Sequence, residues 1–374
     1  FDQITPEDSL AAPGVIDLTL KVKERPTGRL NVGFAIDSRR RLIGLAEIFE
    51  TNFRGTGRTV GINFQSTGGR NGSSIEVLFT EPYLDRHRTS LSVSAYNKLV
   101  YRFTSTFFGS QVDPTLEQQY DERRRGASIG LSRPLNDLIT ASIGLRAEDV
   151  NTNRVATDQG GGFIRQDGTL TSLSLRGVYN NRDIDLNPAM GQYLALTLEP
   201  GFTNIRSAEQ QFIDSGVVKL GQSNFLRASI DYRLYFSPQG RRTQPSDKRQ
   251  VFAFRAYYGT ITGTVPFFEQ FFIGGAETLR GYPEDRFWGK NAALLSVEFR
   301  QPIEKAFTAV FFVDIGHAWG GYPSVNDFTQ RSSFRPEVGY GLGIRVDTPL
   351  GPLRIDYGIG RDGGRTHFSV GQVF

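Results

Sequence analysis

The feature that most limits the fold of this chain is a two-residue alternation of apolar and polar side chains that returns in segment after segment. In residues 224–236, NFLRASIDYRLYF, one parity holds Leu226, Ala228, Ile230, Tyr232, Leu234 and Phe236, and the other holds Arg227, Ser229, Asp231, Arg233 and Tyr235. Successive side chains of a β-strand point to opposite faces, so such a segment reads as a strand with one greasy and one polar face. LRIDYGIG at 353–360 and TASIGLR at 140–146 repeat the division. A soluble sandwich and a membrane barrel both satisfy this pattern, so periodicity does not choose between them.

Strand number and loop length choose better. Sixteen strands are predicted, near 28–37, 42–51, 57–66, 73–80, 88–98, 119–132, 137–147 and 168–179, then 191–202, 222–237, 248–260, 290–301, 305–316, 336–347, 351–361 and 365–374. From the third hairpin onward long and short connections alternate: long near 99–118, 148–167, 203–221, 261–289 and 317–335, short near 133–136, 302–304 and 348–350. An even strand number with short turns at one rim and long loops at the other is the pattern of an outer-membrane barrel. No run of 18 apolar residues suggests a spanning helix, and a barrel needs none, because only the lipid-facing half of each strand must be apolar. The expected fold is therefore an all-β, sixteen-stranded antiparallel transmembrane β-barrel over residues 27–374.

Composition excludes much else. With no cysteine among 374 residues, disulfides, thiol nucleophiles and thiolate-bound metals are ruled out. His87, His317 and His367 lack ligand spacing and read as surface or lumen residues, so no metal is assigned. A net charge of +4 from dispersed arginines gives no basic block, and no nucleic-acid partner is expected. GTGRTVG at 55–61 resembles a nucleotide loop in letters only, since a strand follows it and supplies no helix N-terminus for phosphate. No catalytic grouping can be argued, so neither enzymatic activity nor a cofactor is expected.

Residues 1–26 stand outside the strand count. GVIDLTLKVKE at 14–24 reads as one strand and RPTG as a linker, and the chain, which opens on Phe1, is expected to be a mature or trimmed fragment.

Between two alternating segments lies GGAETLRGYPEDRFWG at 274–289, a charged, glycine-rich loop that counts as the sixth long-rim connection. LRGY at 279–282 resembles the loop-tip motif of the BamA-type superfamily, barrels that insert or translocate proteins at outer membranes. SVEFR on the twelfth predicted strand and FVDIG at 312–316 on the thirteenth resemble further elements of that family. Weaker likenesses are NFRGTGRTVG, EPYLD and NNRDIDLNPAMGQYLAL to turns, TPLGPLRIDYG to the penultimate hairpin, and HFSVGQVF to the last strand. The resemblance implies that the sixth loop folds into the barrel, so that Arg280, Gly281 and Tyr282 form a latch whose lumen partners are Glu298, Phe312, Asp314 and Gly316. Parity agrees: if Phe307, Ala309, Phe311, Val313 and Ile315 face lipid, Asp314 faces the lumen, and by the same alternation so does Glu298. Gly339, Gly341 and Gly343 share an inner face, which would leave room for a loop. Gly281 is expected at a positive φ and Tyr282 in a packing contact.

The resemblance further implies that residues 1–26 are the C-terminal remnant of a POTRA domain, whose remainder precedes Phe1, with its linker. It implies a weak seam between the first and last strands, carrying Leu30, Val32 and Phe34 on one side and Phe368, Val370 and Phe374 on the other. The implied function is an insertase that folds barrel substrates through that seam, in the outer membrane of a diderm bacterium rather than a chloroplast outer envelope, with the POTRA side in the periplasm. The implied partners are unfolded outer-membrane proteins, the lipid bilayer and accessory periplasmic or lipoprotein subunits. The alternatives are a two-partner-secretion-type translocation pore and a passive porin.

Overall fold

The computed structural model describes residues 3–12, 14–23, 26–37, 41–66, 72–102, 120–153, 165–244, 247–304, 306–322, 332–348, 353–361 and 363–370. Strands β1 (Gln3–Ala12) and β2 (Val15–Lys23) form a two-stranded antiparallel hairpin apart from the main sheet. Only the second was expected. The first holds Ile4, Pro6, Leu10 and Ala12 on one parity, but Asp8 interrupts it and Pro6, which donates no ladder hydrogen bond, argues against a strand there.

The main sheet begins with β3 (Gly28–Asp37), β4 (Arg41–Glu50), β5 (Thr59–Ser66), β6 (Ser73–Glu81), β7 (Ser90–Arg102) and β8 (Tyr120–Pro134). It continues with β9 (Ile139–Asn153), β10 (Gln166–Asn180), β11 (Gly191–Ala208), β12 (Gly221–Phe236) and β13 (Val251–Gly263). A short hairpin, β14 (Phe271–Ile273) with β15 (Phe287–Gly289), interrupts the order before β16 (Asn291–Pro302), β17 (Phe307–Trp319), β18 (Glu337–Val346), β19 (Leu353–Gly360) and β20 (Gly363–Val370). Sixteen strands pair antiparallel in the order β20-β19-β18-β17-β16-β13-β12 and so on down to β3. The two end strands return towards one another, with Cα atoms of β20 and β3 within 8 Å.

Several strands on the long-loop side outrun their expected ends. β9 reaches Asn153 and β11 reaches Ala208, because beyond the apolar belt the outward face becomes polar while Val150 and Ile205 turn inward to pack with Phe267 and Phe268, so ladder hydrogen bonds continue where the outward alternation stops. Arg206 on β11 clasps Asp149 on β9 there, at 2.7 and 2.9 Å.

Burial follows parity. On β17, Phe307, Phe311 and Val313 are exposed while Val310, Phe312 and Asp314 are buried. Exposed Leu196, Phe202, Phe252, Leu295, Tyr340 and Leu342 extend this outward apolar face over neighbouring strands. A belt of that extent is too large for a water-facing surface and suits acyl chains. Among the described residues no helix is long and apolar enough to cross a membrane.

At the short-turn rim, side chains satisfy the turn backbone. Asp85 accepts the amides of His87 and Thr89 (2.8 and 3.1 Å) and the Thr89 hydroxyl (2.8 Å). Those bonds, the Thr89 hydroxyl first, hold its carboxyl down at about 2. Asp183 accepts the Ala189 amide within its own turn and the Arg242 amide of the next, tying the two longest turns together.

Candidate functional site

The connection between β13 and β16 runs down into the barrel as β14, turns through residues 274–286, and leaves as β15. Ile273, Leu279, Tyr282 and Phe287 from this loop pack with Ala292 and Ala318 of the wall. The loop is thus built like a small core, with its own apolar contacts as well as charged ones.

Arg280 sits at the tip and is fully buried. Its Nε and Nη2 donate to the two carboxylate oxygens of Asp314 on β17, at 2.7 and 2.8 Å, and its backbone N–H donates to the same carboxylate at 3.1 Å. Nη1 donates to Glu298 on β16 at 2.6 Å and lies 3.5 Å from Asp356 on β19. The guanidinium carbon stands 3.6 Å from the ring centre of Phe312. A planar fork against one carboxylate, with an aromatic face beneath, uses geometry that arginine has and lysine lacks.

The next two residues extend the grip. The Gly281 N–H donates to Nε2 of His367 on β20 at 3.1 Å, and the glycine adopts φ 91°, a conformation that L side chains resist. Tyr282 is buried, its hydroxyl within 3.1 Å of Glu337 and 3.2 Å of the Val338 carbonyl on β18, and it accepts the Arg361 N–H at 3.1 Å. Three consecutive residues therefore bond to five consecutive strands, β16 to β20. Tyr282→Phe is expected to leave Arg280 docked but to free the Arg361 amide, read as faster hydrogen exchange there and a local loss of about 1–3 kcal/mol.

The wall is shaped to receive this backbone. A Cβ on Gly339 would fall 1.8 Å from the Arg280 carbonyl oxygen, and one on Gly358 would fall 2.5 Å from the Gly281 nitrogen. In register, Asp314 pairs with Gly339, Gly341 with Gly358, and Gly343 with Asp356, so bare inward positions lie beside the carboxylates that hold the tip. Arg300 and Arg345 also engage Glu298, at 2.8 and 3.6 Å, so that carboxylate serves local and loop partners together. Arg354 on β19 reaches back to the loop, donating to the Ala276 carbonyl at 2.9 Å and to Glu277 at 3.1 Å.

Of the expected lumen partners, Glu298, Phe312 and Asp314 meet the loop tip. The nearest neighbours of a Cβ at Gly316 are Ala293 and Leu294 of β16, with which it pairs in the ladder. Leu30 and Val32 on β3 are exposed and Phe368 on β20 is half-buried. The side chains of Phe34 and Val370, and all of Phe374, lie outside the described residues. Sequence reasoning missed Asp356, His367 and Gly358 as loop partners. LRIDYGIG held a usable signal, since its polar parity places Asp356, Gly358 and Gly360 on one inward face.

It also missed a second cluster at the loop base. Glu269 is buried in the turn Phe267–Glu269, and its carboxylate accepts from Arg124 on β8 at 2.8 Å, Arg227 on β12 at 2.9 Å and Arg146 on β9 at 3.2 Å. Among the described residues no group of His, Cys, Asp and Glu could hold a metal ion.

Residues 52–374 match the Omp85 superfamily domain. The chain is 27% identical over 369 residues to chloroplastic outer envelope protein 80 of Arabidopsis thaliana, covering 96% of this chain and 47% of that protein. It is 25% identical over 398 residues to outer membrane protein assembly factor BamA of Neisseria meningitidis serogroup B, covering 92% of this chain and 46% of that one. It thus spans about half the length of these relatives. Among solved structures, BamA from Haemophilus ducreyi lacking POTRA domains 1–3 superposes with a TM-score of 0.69 at 17% identity, over 99% of this chain and 74% of that one. CdiB from Escherichia coli superposes with a TM-score of 0.54 at 16% identity, over 98% and 66%.

Proposed function

The chain belongs to the Omp85 superfamily, and on that premise we propose that it is an outer-membrane assembly factor that folds and inserts β-barrel substrates at the seam between β3 and β20. The observation that carries this reading is the loop tip. Arg280, Gly281 and Tyr282 bond to every strand from β16 to the last, so the order of the seam strand depends on where the loop sits. An incoming strand would add to the exposed edge by main-chain pairing, and the energy would come from substrate folding and apolar burial in lipid, without a nucleotide.

Its partners, on this reading, are unfolded outer-membrane proteins and the bilayer, with accessory periplasmic or lipoprotein subunits. The bacterial outer membrane is the proposed location, with the β1–β2 hairpin as the end of a periplasmic POTRA domain. Assembly is favoured over secretion because sequence similarity along nearly the whole chain extends to proteins named as assembly factors. A passive porin fits less well with a lumen crossed by an anchored loop.

Purified protein reconstituted into lipid vesicles should accelerate the folding of an added, urea-unfolded outer-membrane protein relative to empty vesicles. Equal rates with and without the protein, together with passage of a soluble polypeptide into the vesicle interior, would replace this reading with the secretion pore.

A further inference from the structure

We propose that Glu269 is a second anchor of the loop, separate from Arg280, which keeps the base of the loop across the lumen while the tip is released. The proposal rests on the reading of Arg280 as a latch, and goes beyond it in giving the loop two attachments with different duties. The base is held by backbone as well as by charge. Arg124 donates to the Phe268 carbonyl at 2.6 Å, and the Phe267 N–H donates to Gln166 on β10 at 2.6 Å. Phe267 stacks edge-on against Trp288 of the returning limb, ring centres 4.8 Å apart, so both limbs of the loop are fixed at this level.

The two anchors use different strands and different charges. The base engages β8, β9, β10 and β12, the tip engages β16 to β20, and β13 stands between these arcs in the sheet. Around Glu269, carboxylates and guanidiniums balance: Glu122, Glu148, Glu199 and Glu269 face Arg102, Arg124, Arg146 and Arg227. The ion pairs of Arg280 are made with a separate set of residues, although Arg102 of the base set also comes within 3.9 Å of Asp285 in the turn. Breaking the Arg280 contacts therefore strands no charge at the base. Gly274 and Gly275, with φ of 134° and 93°, lie between the anchors and give the chain a place to bend. Release of Arg280 would loosen β16–β20 at the seam without emptying the lumen.

The chain has two tryptophans, so Trp319→Phe leaves Trp288 as the sole emitter beside the base. In that background, Arg280→Ala, Glu269→Gln and Glu269→Ala are compared by Trp288 emission and by single-channel conductance in planar bilayers, with unheated gel mobility checking that the barrel is folded. Glu269→Gln removes charge while keeping shape, which guards against a misfolded alanine variant. The expected result is that Arg280→Ala keeps blue emission and parental conductance, whereas both Glu269 variants shift emission to the red and raise conductance severalfold, alanine more than glutamine. Red-shifted emission with an opened pore in Arg280→Ala alone would overturn the independence of the base. Unchanged emission and conductance in both Glu269 variants would overturn its role as an anchor. Neither readout depends on assembly activity, so failure of the assembly reading in vesicles is a separate result.

Discussion

Arg280→Ala should leave a folded barrel that no longer accelerates substrate folding in vesicles, and Arg280→Lys should restore little of the loss. The guanidinium is fully buried and satisfies the carboxylates of Asp314 and Glu298 directly. Removing it leaves those carboxylates buried without their shared cation, which costs about 3–5 kcal/mol for a buried pair broken from one side. That cost falls on the docked loop rather than on the sheet, whose ladder hydrogen bonds are untouched, so the tip leaves and the barrel stays. Lysine keeps the charge but offers a point donor where Asp314 needs two parallel N–H groups and Phe312 needs a flat cation. Full folding acceleration by the lysine variant would show that charge alone holds the tip.

Gly339→Ala is expected to match Arg280→Ala although it removes no charge and no hydrogen-bonding side chain. The added methyl would stand 1.8 Å from the Arg280 carbonyl oxygen, a backbone atom that cannot swing aside as a side-chain end would. Either β18 or the tip must move, and the tip is the less constrained of the two. Gly177→Ala on β10 makes the same chemical change where no atom lies within 4 Å, and serves as the control. With no native cysteine in the chain, a single Leu279→Cys reports tip position. Maleimide should label it slowly in the parent and in Gly177→Ala, and rapidly in Gly339→Ala. Slow labelling in Gly339→Ala would mean that the wall yields instead.

Strand identity was legible in the sequence because each membrane strand must present an apolar face to lipid and a polar one to the lumen, which writes the period directly into the residues. The inward direction of Glu298 and Asp314 followed from the same parity. Parity does not give height, however: it says that Asp356, Glu148 and Glu199 point inward, not which of them stands level with a loop side chain. Glu269 pairs with Arg124, 145 positions earlier in the chain, and such a pairing depends on how deep the loop descends. The hairpin strand β1 was illegible for a different reason, since Pro6 and Asp8 interrupt the parity that holds Ile4, Leu10 and Ala12. Gly358 and Gly360 were in plain view, but a glycine in a strand reads as weakness until the backbone it accommodates is known.

Both charge clusters that hold the loop lie largely out of contact with water, and this bears on what can undo them. Dissolved ions weaken an attraction by gathering around the charges, over distances of about 8–10 Å at ordinary ionic strength, and they do so poorly where water does not enter. Arg280, Glu298, Asp314 and Glu269 are at most 3% exposed. Salt therefore screens the docked tip poorly, and a rise or fall in ionic strength is a weak trigger for its release. What can dislodge it is a competitor that supplies hydrogen bonds of its own to Asp314, Glu298, His367 and Glu337.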